Sequence, residues 1–153
     1  MSIFDIDKIN PKTVLSIYDS ANWLYDDPRW KGSEDIFEAL SQTSKFLTAQ
    51  DEEEIAGFLS YCALDDCIII TGLYVPQEHQ RKGIASALLE GLLLAHPNRP
   101  VFAEVINTAL WAKKFYEKHG FCELPKSRAL PENAKAHINH NPWSCVYKIQ
   151  RAS

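Results

Sequence analysis

The sequence predicts a single mixed α/β domain over residues 1–153, one sheet flanked by helices, and three observations carry that expectation. Short β-branched runs and four-residue apolar repeats alternate along the chain in the order β, α, α, β, β, β, α, β, α, β, β. The sharpest change of period falls at Pro76. Before it, Cys67-Ile68-Ile69-Ile70-Thr71-Gly72-Leu73-Tyr74-Val75 reads as a buried strand; after it, Ile84, Leu88 and Leu92, with Ala85, Leu89 and Leu93 beside them, make the apolar face of a helix. Third, 153 residues with 46% hydrophobic and 24% charged side chains suffice for one real core and are few for two.

Each element has its own signal. Ile3 to Ile6 is a short first strand. Asn10-Pro11 starts a helix, with Asn as cap and Pro in the first turn, and Val14, Leu15, Tyr18 and Ala21 share its face to about Leu24. The loop from Tyr25 to Gly32 follows, and Ser33 caps a second helix that opens on Glu34 and Asp35 and buries Ile36, Phe37 and Leu40. Lys45 to Gln50 and Ile55 to Leu64 form a hairpin around the acidic turn Asp51 to Glu54, and Asp65-Asp66 leads into the strand at Cys67. Gly72 inside that strand marks a bulge or a close approach to its backbone. Beyond the breaker cluster His96 to Pro100, Val101 to Ile106 is a strand; Asn107 or Thr108 then caps a helix bearing Trp111, Ala112, Phe115 and Tyr116 that stops at Gly120, placed as the left-handed residue past the helix end. Phe121 opens another strand, Pro125 to Pro142 reads as a long polar excursion, and Trp143 to Ile149 alternates as the last strand.

Composition narrows the function classes. No apolar run reaches the roughly 18 residues of a membrane span, and Met1 to Asp7 lacks a signal peptide's basic and apolar regions, so a cytoplasmic location without membrane partners is expected. Cys62, Cys67, Cys122 and Cys145 lack the spacing of zinc or redox sites and read as reduced core residues; no metal is expected. The net charge of −4 is unevenly spread: residues 1–70 hold 14 acids against 5 Lys and Arg, whereas residues 71–153 hold 6 against 11. The carboxyl-terminal half suits an anionic ligand and the amino-terminal half a cationic one, while basic residues are too dispersed for nucleic acid.

The loop between the central strand and helix carries the chemistry. Gln80-Arg81-Lys82-Gly83-Ile84-Ala85 puts two cations and a glycine where the first helical N–H groups are open and the helix dipole favours an anion; an ordinary solvated turn is the plain alternative. A Walker loop is excluded because Lys82 precedes its glycine, and a dinucleotide fingerprint because only one glycine is present. Gln80-x-x-Gly83-x-Ala85, after a strand ending Leu73-x-Val75-Pro76 and before an Ala/Leu-rich helix, resembles the acetyl-CoA signature of the GNAT superfamily of N-acyltransferases. Ala112-x-x-Phe115-Tyr116-Glu117-Lys118-x-Gly120-Phe121 resembles the same family's last helix and following strand, and the two blocks together span about residues 67–121.

The resemblance implies a GNAT-like twisted mixed sheet in which the strands ending at Val75 and Ile106 splay apart. It implies that acetyl-CoA pairs along Leu73, Tyr74 and Val75, that its pyrophosphate lies on Arg81, Lys82, Gly83, Ile84, Ala85 and Ser86 beside Gln80, and that acetyl passes to a primary amine by direct attack. Such an amine, with an ordinary pKa near 10.4, must lose a proton, the oxyanion needs a donor, and the thiolate needs an acid. The resemblance casts the Val75 N–H as donor and Tyr116 as acid; a packed aromatic is the plain alternative for Tyr116. Cys67 to Val75 contains no Glu, where some members carry their base, so Glu104 on the next strand is the nearest candidate, acting through water. Ala109 stands where the family often has Asn, and Asn107 is the candidate to take over that contact with acetyl-CoA. Asp26, Asp27 and Trp30, on an acidic and aromatic loop where the family shapes its acceptor site, are the expected binding residues for a cationic amine. A homodimer is compatible with this pattern. A CoA-binding or sensing module without efficient turnover is the competing function.

Overall fold

Seven strands form one sheet in the computed structural model, which describes residues 2–6, 45–51, 54–125, 130–138 and 144–150. They are β1 (Ser2–Ile6), β2 (Lys45–Asp51), β3 (Glu54–Ala63), β4 (Ile68–Tyr74), β5 (Val101–Ile106), β6 (Phe121–Glu123) and β7 (Ser144–Ile149), in the spatial order β1-β2-β3-β4-β5-β7-β6. Three helices accompany them among the described residues: α1 (Ile84–Ala95), α2 (Leu110–Lys118) and α3 (Glu132–His137). The helices expected near residues 10–24 and 33–40, and the loop with Asp26, Asp27 and Trp30, lie outside the described residues.

All strand pairs are antiparallel except β4 with β5, and this parallel pair is short. Its register runs Ile68↔Val101, Ile69↔Phe102, Ile70↔Ala103 and stops there. Beyond it β4 stays paired with β3 as far as Tyr74↔Phe58, and β5 stays paired with β7 as far as Ile106↔Ser144. Each strand therefore keeps its outer partner while the two part company, which is the splay expected from the resemblance. A bulge lies at the same level: Ser60 faces Gly72 while Tyr61 faces Ile70, so Thr71 is the extra residue of β4. A bulge bends its strand and increases local twist, which helps turn the end of β4 away from β5. Gly72 is required there by crowding, since a Cβ would stand 2.6 Å from Tyr74 Cε2 and 2.8 Å from Ser60 Oγ.

The two sheet faces bury separate cores. On one, α1 and α2 lay Leu88, Leu89, Leu92, Ala112 and Tyr116 against Leu59, Ile68, Ile70, Ala103 and Val105. On the other, Ala134 and Ile138 cover Cys67, Ile69 and Phe102 together with Leu124. The alternation of β5 thus sends Ala103 and Val105 to the α1 face, and Phe102 and Glu104 to the opposite one.

Three sequence expectations are corrected. The stretch expected to be a long excursion holds α3, which Ala134, with no exposed surface, anchors to the sheet. Neither Asn107 nor Thr108 caps α2: a Leu110 N–H to Thr108 carbonyl bond of 3.0 Å makes a tight turn first, and the helix follows Ala109 without a side-chain cap. Cys122 is exposed, because β6 alternates Phe121 inward and Cys122 outward, while Cys62 and Cys67 are buried free thiols. Gly120 has φ 87°, the left-handed conformation expected after the helix.

Candidate active site at the gap between β4 and β5

The carboxyl ends of the parallel pair border the gap, the place where open α/β sheets bind ligands. Leu73 and Tyr74 form the last turn of β4's pleat and Val75 follows it; the Leu73 side chain is buried in the α1-side core, so toward the gap this residue offers only main chain. Tyr74 packs its ring on Phe58, with centroids 5.2 Å apart, and closes over Gly72.

The chain then makes a single 3-10 turn, Gln77–His79, tied by His79 N–H to the Pro76 carbonyl at 2.9 Å. Gln80 donates to the Val75 carbonyl at 3.0 Å and so clamps the loop to the end of β4. Arg81 has φ 66°, the one positive φ among the described non-glycine residues, and Gly83 has φ 77°. A left-handed non-glycine residue costs about 1 to 2 kcal/mol, and such strain concentrates at binding loops. Two left-handed residues in three fold the loop abruptly into α1, the kind of turn that gathers successive N–H groups into an anion-binding concavity.

Ala87 N–H is bonded to the Gly83 carbonyl at 3.0 Å, so the amides of Ile84, Ala85 and Ser86 precede the first helical bond of α1. A Cβ on Gly83 would meet nothing within 4 Å, so the space above this turn is open to a ligand. Ile84 is itself a core residue and offers only its N–H, while Arg81 and Lys82 are exposed. Lys82 Nζ stands 3.5 Å from His79 Nδ1 and 4.0 Å from the Asp51 carboxylate, a half-exposed pair worth little in stability.

Across the gap, Glu104 is the first β5 residue beyond the parallel register, half-buried on the face opposite α1. Ser144 Oγ donates to its Oε2 at 2.7 Å. Ser144 was not singled out from the sequence. Asn107 is half-buried in the turn leaving β5. Tyr116 stands on the α1 face, its ring 5.2 Å from Phe121 and 6.3 Å, stacked, from Tyr147. Burial alone pushes its phenol well above the ordinary tyrosine value, so it holds its proton more firmly than an exposed phenol does. Tyr147, by contrast, donates to Glu117 Oε1 at 3.2 Å. Among the described residues no group of three or more His, Cys, Asp or Glu is placed to hold a metal ion.

The sequence pattern of the acetyltransferase (GNAT) family matches residues 14–121, and the chain belongs to that family. No curated protein matches it in sequence. The fold is shared with solved GNAT structures. The ribosomal-protein-S18-alanine N-acetyltransferase of Escherichia coli superposes with a TM-score of 0.74 at 18% identity, over 99% of this chain and 96% of that one. The PaiA N-acetyltransferase of Thermoplasma acidophilum, solved with coenzyme A, gives 0.65 at 16% identity over 99% and 100%. The smu.2055 protein of Streptococcus mutans gives 0.70 at 22% identity over 97% and 98%.

Proposed function

We propose that this protein is an acetyl-CoA-dependent N-acetyltransferase that acylates a primary amine by direct attack. The observation that carries the reading is the end of the β4–β5 register at Ile70↔Ala103, with an anion-ready loop on the β4 side and a carboxylate at the same level of β5. Acetyl-CoA supplies an acetyl group activated as a thioester and a pyrophosphate by which it can be held; the Thermoplasma structure contains coenzyme A on the same fold.

The residues fit that ligand. The amides of Ile84, Ala85 and Ser86 and the open space above Gly83 receive the pyrophosphate, with Arg81 and Lys82 adding positive charge. The main chain of Leu73, Tyr74 and Val75, released from β5, pairs with the extended arm as one more strand. The Val75 N–H donates to the thioester oxygen as negative charge grows there, and the Gln80 clamp on the Val75 carbonyl keeps that peptide in place. Tyr116, a neutral phenol, delivers a proton to the departing sulfur from the α1 face. Glu104, on the other face, takes the proton from the amine directly or through a water molecule. Acid and base thus lie on opposite faces of the sheet, and the amine and acetyl-CoA meet through the gap.

The acceptor is a primary amine that is cationic in solution, for which Asp26, Asp27 and Trp30 supply attraction. Thiol release from acetyl-CoA with an Ala-initiated hexapeptide, spermidine and tryptamine tests the reading. At least one amine is expected to accelerate release and to appear as its acetyl derivative by mass spectrometry. Calorimetric binding of acetyl-CoA with no amine-dependent release would make the protein a binding module instead.

A further inference from the structure

Glu104 is placed to act as base, yet its cross-strand neighbour on β7 is Val146, which offers no polar atom. Two residues along β7 on the same face is Ser144, which pairs with Ile106 and so stands diagonal to Glu104, within reach of a long side chain. The separation of 2.7 Å between Ser144 Oγ and Glu104 Oε2 is that of a well-formed hydrogen bond from the hydroxyl to the carboxylate. We infer that Ser144 is a positioning residue for Glu104, its hydroxyl donating to Oε2 so that the carboxylate is held in one orientation. This rests on the proposed role of Glu104 as base and adds the group that keeps it ready.

The chemistry around the pair supports the assignment. An ionised carboxylate only accepts hydrogen bonds, and a hydroxyl is a donor that brings no competing charge. Cys145, between Ser144 and Val146, turns to the opposite face, its Sγ 3.5 Å from the Val105 carbonyl. Its thiol is pushed up to about 11, first by burial and then by a hydrogen bond with Glu123, so it stays neutral. Lys148, further along β7, lies over the Phe102 ring, its Nζ 5.9 Å from the centroid. A hydrogen bond to one carboxylate oxygen fixes the side chain's rotamer, and a base must be held within reach of the proton it takes.

The test uses the full chain with acetyl-CoA and the fastest amine among the three named above, comparing the parent, Ser144→Ala, Ser144→Thr and Glu104→Gln. Ser144→Ala is expected to lower kcat by about twofold to tenfold, the worth of one hydrogen bond, with KM for acetyl-CoA unchanged, and Ser144→Thr, which keeps a hydroxyl, to restore it. In the Glu104→Gln background the same Ser144→Ala change is expected to have no further effect, because the hydroxyl acts through that carboxylate. A folded Ser144→Ala with parent kcat, or one that lowers kcat equally in the Glu104→Gln background, overturns the positioning role and leaves the proposed function standing. Full turnover by Glu104→Gln removes the base itself, and the positioning role with it.

Discussion

On the β4 side of the gap, what is offered to a ligand is mostly main chain and comes from one stretch, Leu73 to Ser86. On the β5 side the candidate groups are side chains, Glu104, Ser144 and Tyr116, which stand on β5, β7 and α2. The first wall is a matter of backbone shape: a strand that has lost one neighbour, a bulge at Thr71, two left-handed residues, and a helix start. The second is a matter of individual atoms. The first wall should therefore respond to substitutions that alter backbone or fill space and the second to the loss of single hydroxyls or carboxylates, so binding and turnover should separate along the same line.

The largest effect belongs to the side-chain wall. Tyr116→Phe keeps the ring contacts to Phe121 and Tyr147 and removes only the hydroxyl. General acid catalysis is worth about a hundredfold to ten-thousandfold, and kcat is expected to fall within that range while Kd for acetyl-CoA stays unchanged. Parent-like turnover would leave Tyr116 as core packing alone. A parallel loss of binding would make its hydroxyl part of the ligand's seat and dissolve the division between the walls.

Next comes the backbone wall. Gly83→Glu fills space in which nothing lies within 4 Å and puts a negative charge where the pyrophosphate is expected. Gly83→Ala carries the same penalty for φ 77°, about 1 to 2 kcal/mol, with little bulk and no charge. By calorimetry the Glu variant should bind acetyl-CoA at least about a hundredfold more weakly than the Ala variant, since a charge-assisted anion contact becomes a repulsion. Equal affinities would take the phosphate away from this loop.

The same contrast explains what could be read before the structure was seen. The loop and strand end were legible because their contacts come from consecutive residues, and the order Gly72, Pro76, Gln80, Gly83, Ala85 records backbone requirements directly. Glu104 was reachable as the nearest carboxylate to the gap. Ser144 was not: it lies 40 residues away in sequence, and only the β5–β7 register brings it to Glu104. The helix α3 escaped because six residues are too few to show a period, and its place depends on Ala134 and Ile138 meeting Phe102. Asn107 and Thr108 looked equally good as caps, but a backbone turn onto the Thr108 carbonyl delays the helix past both. Gln80 also bonds the Val75 carbonyl, a tie that no spacing reveals.

A smaller effect probes whether the bulge shapes the first wall. Gly72→Ala drives a methyl to 2.6 Å from the Tyr74 ring, which cannot retreat without leaving Phe58. Overpacking of this kind costs about 1 to 3 kcal/mol, read as a fall in urea midpoint. Because Tyr74 is the last residue of β4, acetyl-CoA affinity should weaken along with stability. Ser60→Gly in the same background removes the second clash, at 2.8 Å, and should recover only part of the loss. Full stability in Gly72→Ala would show that the ring moves freely and that the bulge alone sets the strand end.

The smallest effect is alkaline, and it reads the two sides separately through thiols that stand beneath them. Cys67, just before β4, is pushed from its ordinary 9.0 up to about 12, first by burial and then by its hydrogen bond with Asp66; Cys145 on β7 rises to about 11, again chiefly by burial. In both, the folded protein holds the proton more tightly than the unfolded chain does. Their contribution is therefore complete below about pH 9 and is lost together from there upward, the loss ending near pH 11 for Cys145 and continuing to about pH 12 for Cys67. Urea midpoints measured from pH 8 to pH 11 should fall above pH 9 in the parent. Cys145→Ala should flatten that decline on the β7 side, and Cys67→Ala should flatten it too, on top of a uniform loss from the cavity left at a fully buried site. Parallel declines in the parent and both variants would mean that neither thiol is more strongly protonated in the folded state, and that the two sides of the gap weaken together for another reason.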